Sequence, residues 1–215
     1  MIENETPTLP KTLTEAIDAR LLDLHVCLPA RVETYDSSTQ KAAVKPLLKK
    51  KYKGITSIEL SVIPSVPVQW PSAGGGNAYI HLPLETGDLG IVIVCERSLD
   101  YWLSGDGQIV DPLEPRHHDL SDAIFIPGVR PWKAALSNVP EDNLVIQNNT
   151  MRIELDPSGK ISITGASNEF LTVINGILDH LISAQVNTGI GPMPFTNGTI
   201  TNLQADKADL ETLII

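Results

Sequence analysis

The densest group of side chains able to do chemistry is Arg116-His117-His118-Asp119. Adjacent histidines on an extended chain point to opposite sides, so His117 and His118 do not readily share one metal ion. His25 and His81 are distant in sequence, and no Cys or Glu stands at ligand spacing, which leaves a structural zinc site a weak reading. Either histidine could act as a general base, but no serine or cysteine elbow is present for it to activate. The plainer reading is a hydrogen-bonded turn ahead of a strand. Asp100, Asp106, Asp111, Glu114 and Asp119 form an acidic group by count. Two of them could make a glycosidase pair if a groove held them about 5–9 Å apart, yet nothing in the spacing selects a pair. Gly74-Gly75-Gly76 lacks the Lys-Ser/Thr of a phosphate loop and reads as a turn. Tyr101 and Trp102 could stack on bases or sugars, but in an apolar segment they read as core or interface. Cys27 and Cys95 lie in apolar strand-like runs and read as buried thiols, able to pair only if those strands are neighbours. No catalytic residue, metal-ligand set or cofactor site is expected.

The elements that would position these groups are mostly strands. Thr12-Leu-Thr-Glu15 reads as a capping box opening a short helix that ends near His25, ahead of Pro29. From Leu28 to Pro131 the texture is strand and turn. Ala30–Tyr35 and Gln40–Leu47 form a hairpin around Asp36-Ser37-Ser38. Ile58–Ile63, continued by Pro67–Trp70, is a third strand, and Asn77–Leu82 a fourth. Leu89–Cys95 is almost wholly apolar, as suits a strand crossing a closed barrel. Ser98–Leu103 is a shorter segment, and Ile124–Ile126 a last strand before Pro127-Gly128. Five or six short strands without alternating helices exclude a parallel α/β domain and fit a small barrel, with a plain β-sandwich as the alternative.

Residues 132–143 read as a linker. Leu144–Gln147, Met151–Leu155 and Lys160–Thr164 are three short alternating runs that cannot enclose a core by themselves. Ser167 or Asn168 caps a helix running to about Val186. Leu171, Ile174, Leu178 and Leu181 repeat in it at the 3-4-3 spacing of a coiled-coil seam, beside a second row of Phe170, Ile177 and Ala184. A stripe that broad predicts a helix packed both on copies of itself and on its own chain's strands. The remainder, 188–215, is too sparse in apolar residues for a core of its own, yet closes on Leu213-Ile214-Ile215, which predicts contact with a neighbour.

Charge narrows the partners. The chain of 215 residues carries 16 Lys/Arg and 26 Asp/Glu, a formal net charge of −10. That argues against non-specific binding of DNA or anionic lipid. The only basic run is Lys41, Lys45, Lys49, Lys50, Lys51 and Lys53; it reads as a solvated loop or strand flank, with an acidic protein partner as the alternative and nucleic acid disfavoured because no aromatic platform lies between the lysines. The opening MIENETPTLPK is polar and acidic, unlike a secretory signal, and no run approaches the roughly 18 apolar residues of a membrane span.

Several stretches, taken in order, carry a family resemblance. They are His25–Asp36 (HVCLPARVETYD), Val44-Lys45-Pro46, Val66–Pro71 (VPVQWP), Leu84–Gly90 (LETGDLG), Asp100-Tyr101-Trp102, Gly105, Arg116–Ala123 (RHHDLSDA) and Pro127-Gly128. The set resembles the central spike, or tail-tip puncturing protein, of contractile-tailed bacteriophage baseplates, in the subgroup with an N-terminal OB-fold barrel. The resemblance implies a mainly β, trimeric fold. An N-terminal helical arm (1–24) leads into an OB-fold-like collar (25–131) and a linker (132–143). Short intertwined β-prism or β-helix strands (144–166), a trimerisation helix (167–187) and a C-terminal tail or tip (188–215) follow. It implies a structural, non-enzymatic protein of the virion that attaches to the baseplate hub protein at the end of the tail tube and meets the host outer membrane. Leu171, Ile174, Leu178 and Leu181 would form the trimer interface. The family often ends in a long needle with a metal-bound His-x-His apex, but no histidine follows His180 here. A short blunt spike, or a separate tip protein contacting Leu213, Ile214 and Ile215, is then expected. The alternatives are an OB-type module binding glycan or single-stranded nucleic acid, whose mark would be a concave basic or aromatic surface, and a spike-associated murein hydrolase, for which about 85 residues beyond the barrel are too few.

Overall fold

Alternating small and β-branched residues, interrupted by turn chemistry, dictate most of the first 135 residues. The computed structural model describes residues 8–51 and 56–212. It divides into two compact units, 1–135 and 136–215.

In the first unit, α1 (Leu9–Leu22) leads to strands β1 (Cys27–Asp36), β2 (Lys41–Pro46) and β3 (Ile63–Pro67). A small hairpin of β4 (Ser72–Ala73) and β5 (Ala78–Tyr79) precedes β6 (Leu89–Val94), the short helix α2 (Asp100–Ser104) and β7 (Ala123–Pro127). Five strands make one antiparallel sheet in the order β3-β2-β1-β6-β7. The sheet curls as a half-barrel, and a parallel bridge from Val68 to Phe125, with Gln69 N–H donating to the Phe125 carbonyl at 2.9 Å, brings its two ends together. Inward side chains of every strand meet in one core, with Val32, Val44, Val66, Val92 and Phe125 fully enclosed.

Two turns show why their residues are needed. Gly74, Gly75 and Gly76 all sit at positive φ (+61°, +65° and +88°), a backbone route that side chains disfavour. The Glu85–Asp88 turn closes on the bulge in β1, where pairing with β2 slips between Val32 and Thr34. Val32 exchanges backbone bonds with Gly87 and Asp88 at 2.8 Å, and the Thr86 hydroxyl donates to the Glu33 carbonyl at 3.0 Å. The bulge thus re-aims β1 while its freed groups stay satisfied.

Several expectations shift. The first helix opens at Leu9, with Pro10 in its first turn, rather than at Thr12. Thr12 instead donates its hydroxyl back to the Thr8 carbonyl at 3.2 Å. No residue of α1 is buried. Of the expected strand Ile58–Ile63, only Ile58 bridges, to Lys50, and the strand proper begins at Ile63. Asn77–Leu82 contributes only the two residues of β5. The central apolar strand β6 is buried on one side alone: Val92 and Val94 face the core, whereas Ile93 is 39% exposed. Ser98–Leu103 yields α2, because Ser98 and Leu99 are tethered from behind by Arg116 and Asp122.

The second unit holds β8 (Leu144–Asn148), β9 (Met151–Leu155), β10 (Ile161–Thr164), α3 (Phe170–Ser183), a hairpin of β11 (Gln185–Thr188) and β12 (Gly191–Pro194), and α4 (Asn197–Glu211). The three runs expected to intertwine pair with one another as an antiparallel meander, β10-β9-β8. Glu169, rather than Ser167 or Asn168, caps α3: its carboxylate accepts from Thr172 N–H at 2.6 Å and from Ile163 N–H at 3.2 Å, tying the helix to β10. The tail expected to have no core of its own forms a hairpin and a capped helix. In α4 the half-buried row Ile200, Leu203, Lys207 and Leu210 packs toward α3, and Lys207 pairs with Asp179 at 2.6 Å. Its sequence, NGTITNLQADKADLE, has too few apolar residues to announce a helix; docking on α3 decides it. No helix among the described residues is long and apolar enough to cross a membrane.

Candidate functional site

The Arg116–Asp122 segment is where the polar side chains of the first unit converge. Asp122 ends a single 3-10 turn at the entry to β7, and its side chain is 0% exposed. A carboxylate there needs full compensation. Arg116 supplies two bonds to it, Nε to Oδ2 at 2.9 Å and a terminal nitrogen to Oδ1 at 3.1 Å, and Leu99 N–H adds a third to Oδ1 at 2.9 Å. The same guanidinium reaches the buried Ser98 hydroxyl at 2.9 Å and the Asp100 carboxylate at 2.5 Å. Burial alone would raise the Asp122 pKa; the Arg116 and Leu99 hydrogen bonds outweigh it and hold the carboxyl below its ordinary value. The Arg116 guanidinium is pushed up by its bonds to Asp122 and Asp100. The cluster locks α2 and the segment ahead of β7 onto the sheet.

The neighbouring histidines are also committed to the backbone. His117 Nδ1 lies 3.1 Å from the Pro115 carbonyl, and His118 Nδ1 lies 3.1 Å from the His25 carbonyl. Each ring therefore donates from Nδ1. His118 adopts a left-handed backbone at φ +54°. Asp119 caps the 3-10 turn through Ser121, whose N–H and hydroxyl hold its pKa down. This is the expected hydrogen-bonded turn, and no cluster of potential metal ligands occurs among the described residues. A polar cleft of about 650 Å³ opens here, lined by Arg20, Asp23, His25, Glu114 and the Arg116–Asp119 turn. Burial, followed by the charge of Lys50, lowers the His25 pKa against the pull of Asp119 and Asp23. Of the acidic group by count, Asp100 and Asp119 are engaged as described, and no geometry singles out a pair of free carboxylates.

A second groove, of about 560 Å³, collects aromatic residues that are scattered in sequence. Trp70, Tyr79, His81 and Trp102 line it together with Gln40, Gln69 and Ser72. The Trp70 and His81 rings meet edge-on at 4.9 Å, and His81 Nε2 lies 3.3 Å from the Tyr35 hydroxyl. Trp102 stands on α2. The lining contains no Asp, Glu, Lys or Arg.

Three lysines of the basic run are paired, with two carboxylates between them. Lys45 and Lys49 pair with Glu59 at 3.6 and 3.1 Å, Lys45 also donates to the Leu60 carbonyl, and Lys50 pairs with Asp23. Lys53 lies outside the described residues. Cys27 and Cys95 are on adjoining strand regions and are free thiols, but they are not the buried pair expected: Cys27 is exposed and Cys95 half-buried, where burial, then the charge of Asp122, raises its pKa.

The expected seam on α3 divides. Leu171 is buried and Ile174 and Leu178 are half-buried within the single chain, where α3 packs on β10 and α4. Leu181 is exposed, in line with Phe170, Val173 and Ile177. The expected tip contact, Leu213, Ile214 and Ile215, lies outside the described residues.

Residues 28–128 match the family model described as "Phage protein Gp138 N-terminal domain". The match begins inside β1 and ends one residue beyond β7, so it coincides with the curled sheet and includes the Arg116–Asp122 anchor. No curated protein matches the chain at a significant level. Over this unit the chain is similar to the N-terminal domain of a phage protein, which supports a bacteriophage protein.

Proposed function

We propose that the protein is a structural component of the phage tail baseplate: a homotrimeric central spike that attaches to the hub at the end of the tail tube and leads penetration of the host outer membrane. One observation carries the reading: a unit matching a phage domain is followed by a second unit in which Leu171 is the one buried apolar residue among those described. A protein of that form suits an assembly whose chains complete each other. The strand order and the parallel bridge at Val68 favour an OB-type collar, which is a five-stranded, partly open Greek-key barrel. A separate tip protein would meet the chain at Leu213–Ile215. Gold-labelled antibody against the first unit should mark the distal end of the tail in intact virions. Label on the head, or on none of the particles, would overturn the assignment.

The spike is read as non-catalytic, since its converging polar groups are spent on one another. Incubation with purified peptidoglycan is expected to release no soluble fragments above a buffer control. Release proportional to time and protein concentration would sink that part.

The aromatic groove favours a second reading, a module for neutral glycan. Aromatic faces with free amides suit sugar rings, and an uncharged lining does not suit the phosphates of nucleic acid. Quenching of tryptophan fluorescence by neutral oligosaccharides, lost in Trp102→Ala, would support it; an unchanged spectrum would remove it.

A further inference from the structure

We propose that the buried indole N–H of Trp70, flanked by the amides of Gln40 and Gln69, is the anchoring donor of the aromatic groove, and that its acceptor is an oxygen of an uncharged sugar stacked there. This rests on the neutral-glycan reading of the groove and names the groups that make it selective. Trp70 differs from the other two tryptophans. Trp132 is 96% exposed and Trp102 47%, whereas Trp70 is 9% exposed and belongs to the core cluster while also lining the groove. A buried tryptophan usually finds a partner for its N–H, because a donor taken out of water and left unmet is costly. Among the described residues Trp70 Nε1 has no acceptor. The His81 ring meets the indole edge-on at 4.9 Å, but its Nε2 is engaged with the Tyr35 hydroxyl at 3.3 Å.

The flanking amides stand on fixed backbone. Gln40 sits at φ +55°, a left-handed conformation that favours glycine, yet the position carries a long amide side chain. Its carbonyl accepts from Val68 N–H at 3.0 Å, and Gln69 N–H donates to the Phe125 carbonyl at 2.9 Å. Both residues are therefore held by the bridge that joins the ends of the sheet, and a site on rigid backbone is a precise one. Neither side-chain amide bonds to another described residue.

The chemistry of the lining selects the occupant. Each amide both donates and accepts, as sugar hydroxyls do. Tyr79, 67% exposed, and Trp102 offer open aromatic rings on which the C–H face of a sugar ring packs. No Asp, Glu, Lys or Arg lines the groove, and the chain's net charge of −10 repels acidic sugars and phosphates. Its volume of about 560 Å³ falls within the roughly 300–1,000 Å³ of small-ligand sites. A proline-rich peptide also presents carbonyl acceptors to aromatic rings, but prolines bring no donors, so the amide oxygens of Gln40 and Gln69 would go unmet. The sugar satisfies both sides.

Indole nitrogen–proton NMR spectra of the full chain test this without disturbing the core. The chain has three tryptophans, so Trp102→Phe and Trp132→Phe assign two indole peaks and leave the third to Trp70. The probes are cellohexaose, maltohexaose and N-acetylchitohexaose, with hexagalacturonate as the acidic control. With at least one neutral probe the Trp70 indole proton is expected to move downfield and the Trp102 peak to shift. Trp132, outside the groove, should stay fixed, and hexagalacturonate should move none of the three. If no neutral probe moves Trp70 or Trp102, the glycan reading itself falls. A shift of Trp102 with Trp70 unmoved keeps that reading and overturns the anchor. A hexaproline peptide that moves Trp70 where no sugar does would make the groove a peptide site and overturn the proposal. Gln40→Gly supplies a second measurement. Its urea midpoint should not fall, because glycine suits that backbone, while its affinity for the responding sugar should weaken about tenfold. Unchanged affinity would overturn the role of Gln40.

Discussion

Arg116→Ala is expected to lower the stability of the first unit by about 3 kcal/mol, read as a shift in its urea midpoint. Removing one partner of a buried ion pair strands the other, at a usual cost of about 3–5 kcal/mol. The lower end applies because the Arg116 side chain is 30% exposed, so water can partly replace it, while Asp122 is fully enclosed. Asp122→Asn should weaken the same lock by removing the charge that the guanidinium faces. The two variants also differ from the unmodified protein in pH dependence. Asp122 has a folded pKa held below the ordinary 3.8, so the unfolded chain takes up its proton first as pH falls. The stabilisation is therefore complete well above 3.8 and is lost as pH drops through the lowered folded value. The gap in stability between the unmodified protein and Asp122→Asn should stay constant near neutrality and narrow in strong acid. A gap independent of pH, or an Arg116→Ala midpoint within error of the unmodified one, would mean that the lock contributes nothing net.

Phe125→Ala should cost about 3–5 kcal/mol, the usual range for deleting a fully buried aromatic ring. Phe125 is 0% exposed, lies on β7 beside β6, and takes part in the bridge that joins the sheet's ends. Its ring occupies the space that a side chain at position 90 would need. A Cβ on Gly90 would stand 2.6 Å from Phe125 Cζ and 2.3 Å from the Ile126 carbonyl oxygen. The ring could yield, but the carbonyl belongs to the paired backbone of β7, so Gly90→Ala should cost about 1–3 kcal/mol or more through overpacking. In the double variant the ring clash disappears and the carbonyl clash remains. The summed costs should exceed the double-variant cost by at least about 0.5 kcal/mol. Strict additivity would show that the ring is not the obstacle at position 90.

How much of this could be read without the structure depends on the range of the interaction involved. The strands β1, β2, β6 and β7 were legible because alternation and turn residues act over a few positions: Asp36-Ser37-Ser38, Gly87-Asp88 and Pro127-Gly128 end runs whose inward residues are Val, Ala and Phe. The stretch Arg116–Ala123 also stood out, as a family motif and as a turn before the last strand. Its partners did not, because Ser98 and Leu99 meet Arg116 and Asp122 only after β6 and β7 pair and bring two distant loops together. The same pairing makes α2 a helix. Trp70, Tyr79, His81 and Trp102 share a groove because the sheet curls, which no local pattern encodes.

In the second unit, heptad spacing determined that α3 exists and that it has more apolar surface than one face can bury. It could not assign the rows. Leu171, Ile174 and Leu178 carried the 3-4-3 signature, yet the chain turns them inward because Glu169 anchors the helix start on β10 and α4 docks alongside. Rotation of a helix about its axis is set by what holds its ends and flanks, and those contacts are tertiary. Composition and periodicity thus determined a mainly β protein with an under-filled second unit. Only the folded chain decided which apolar row that unit keeps for itself and which it leaves open.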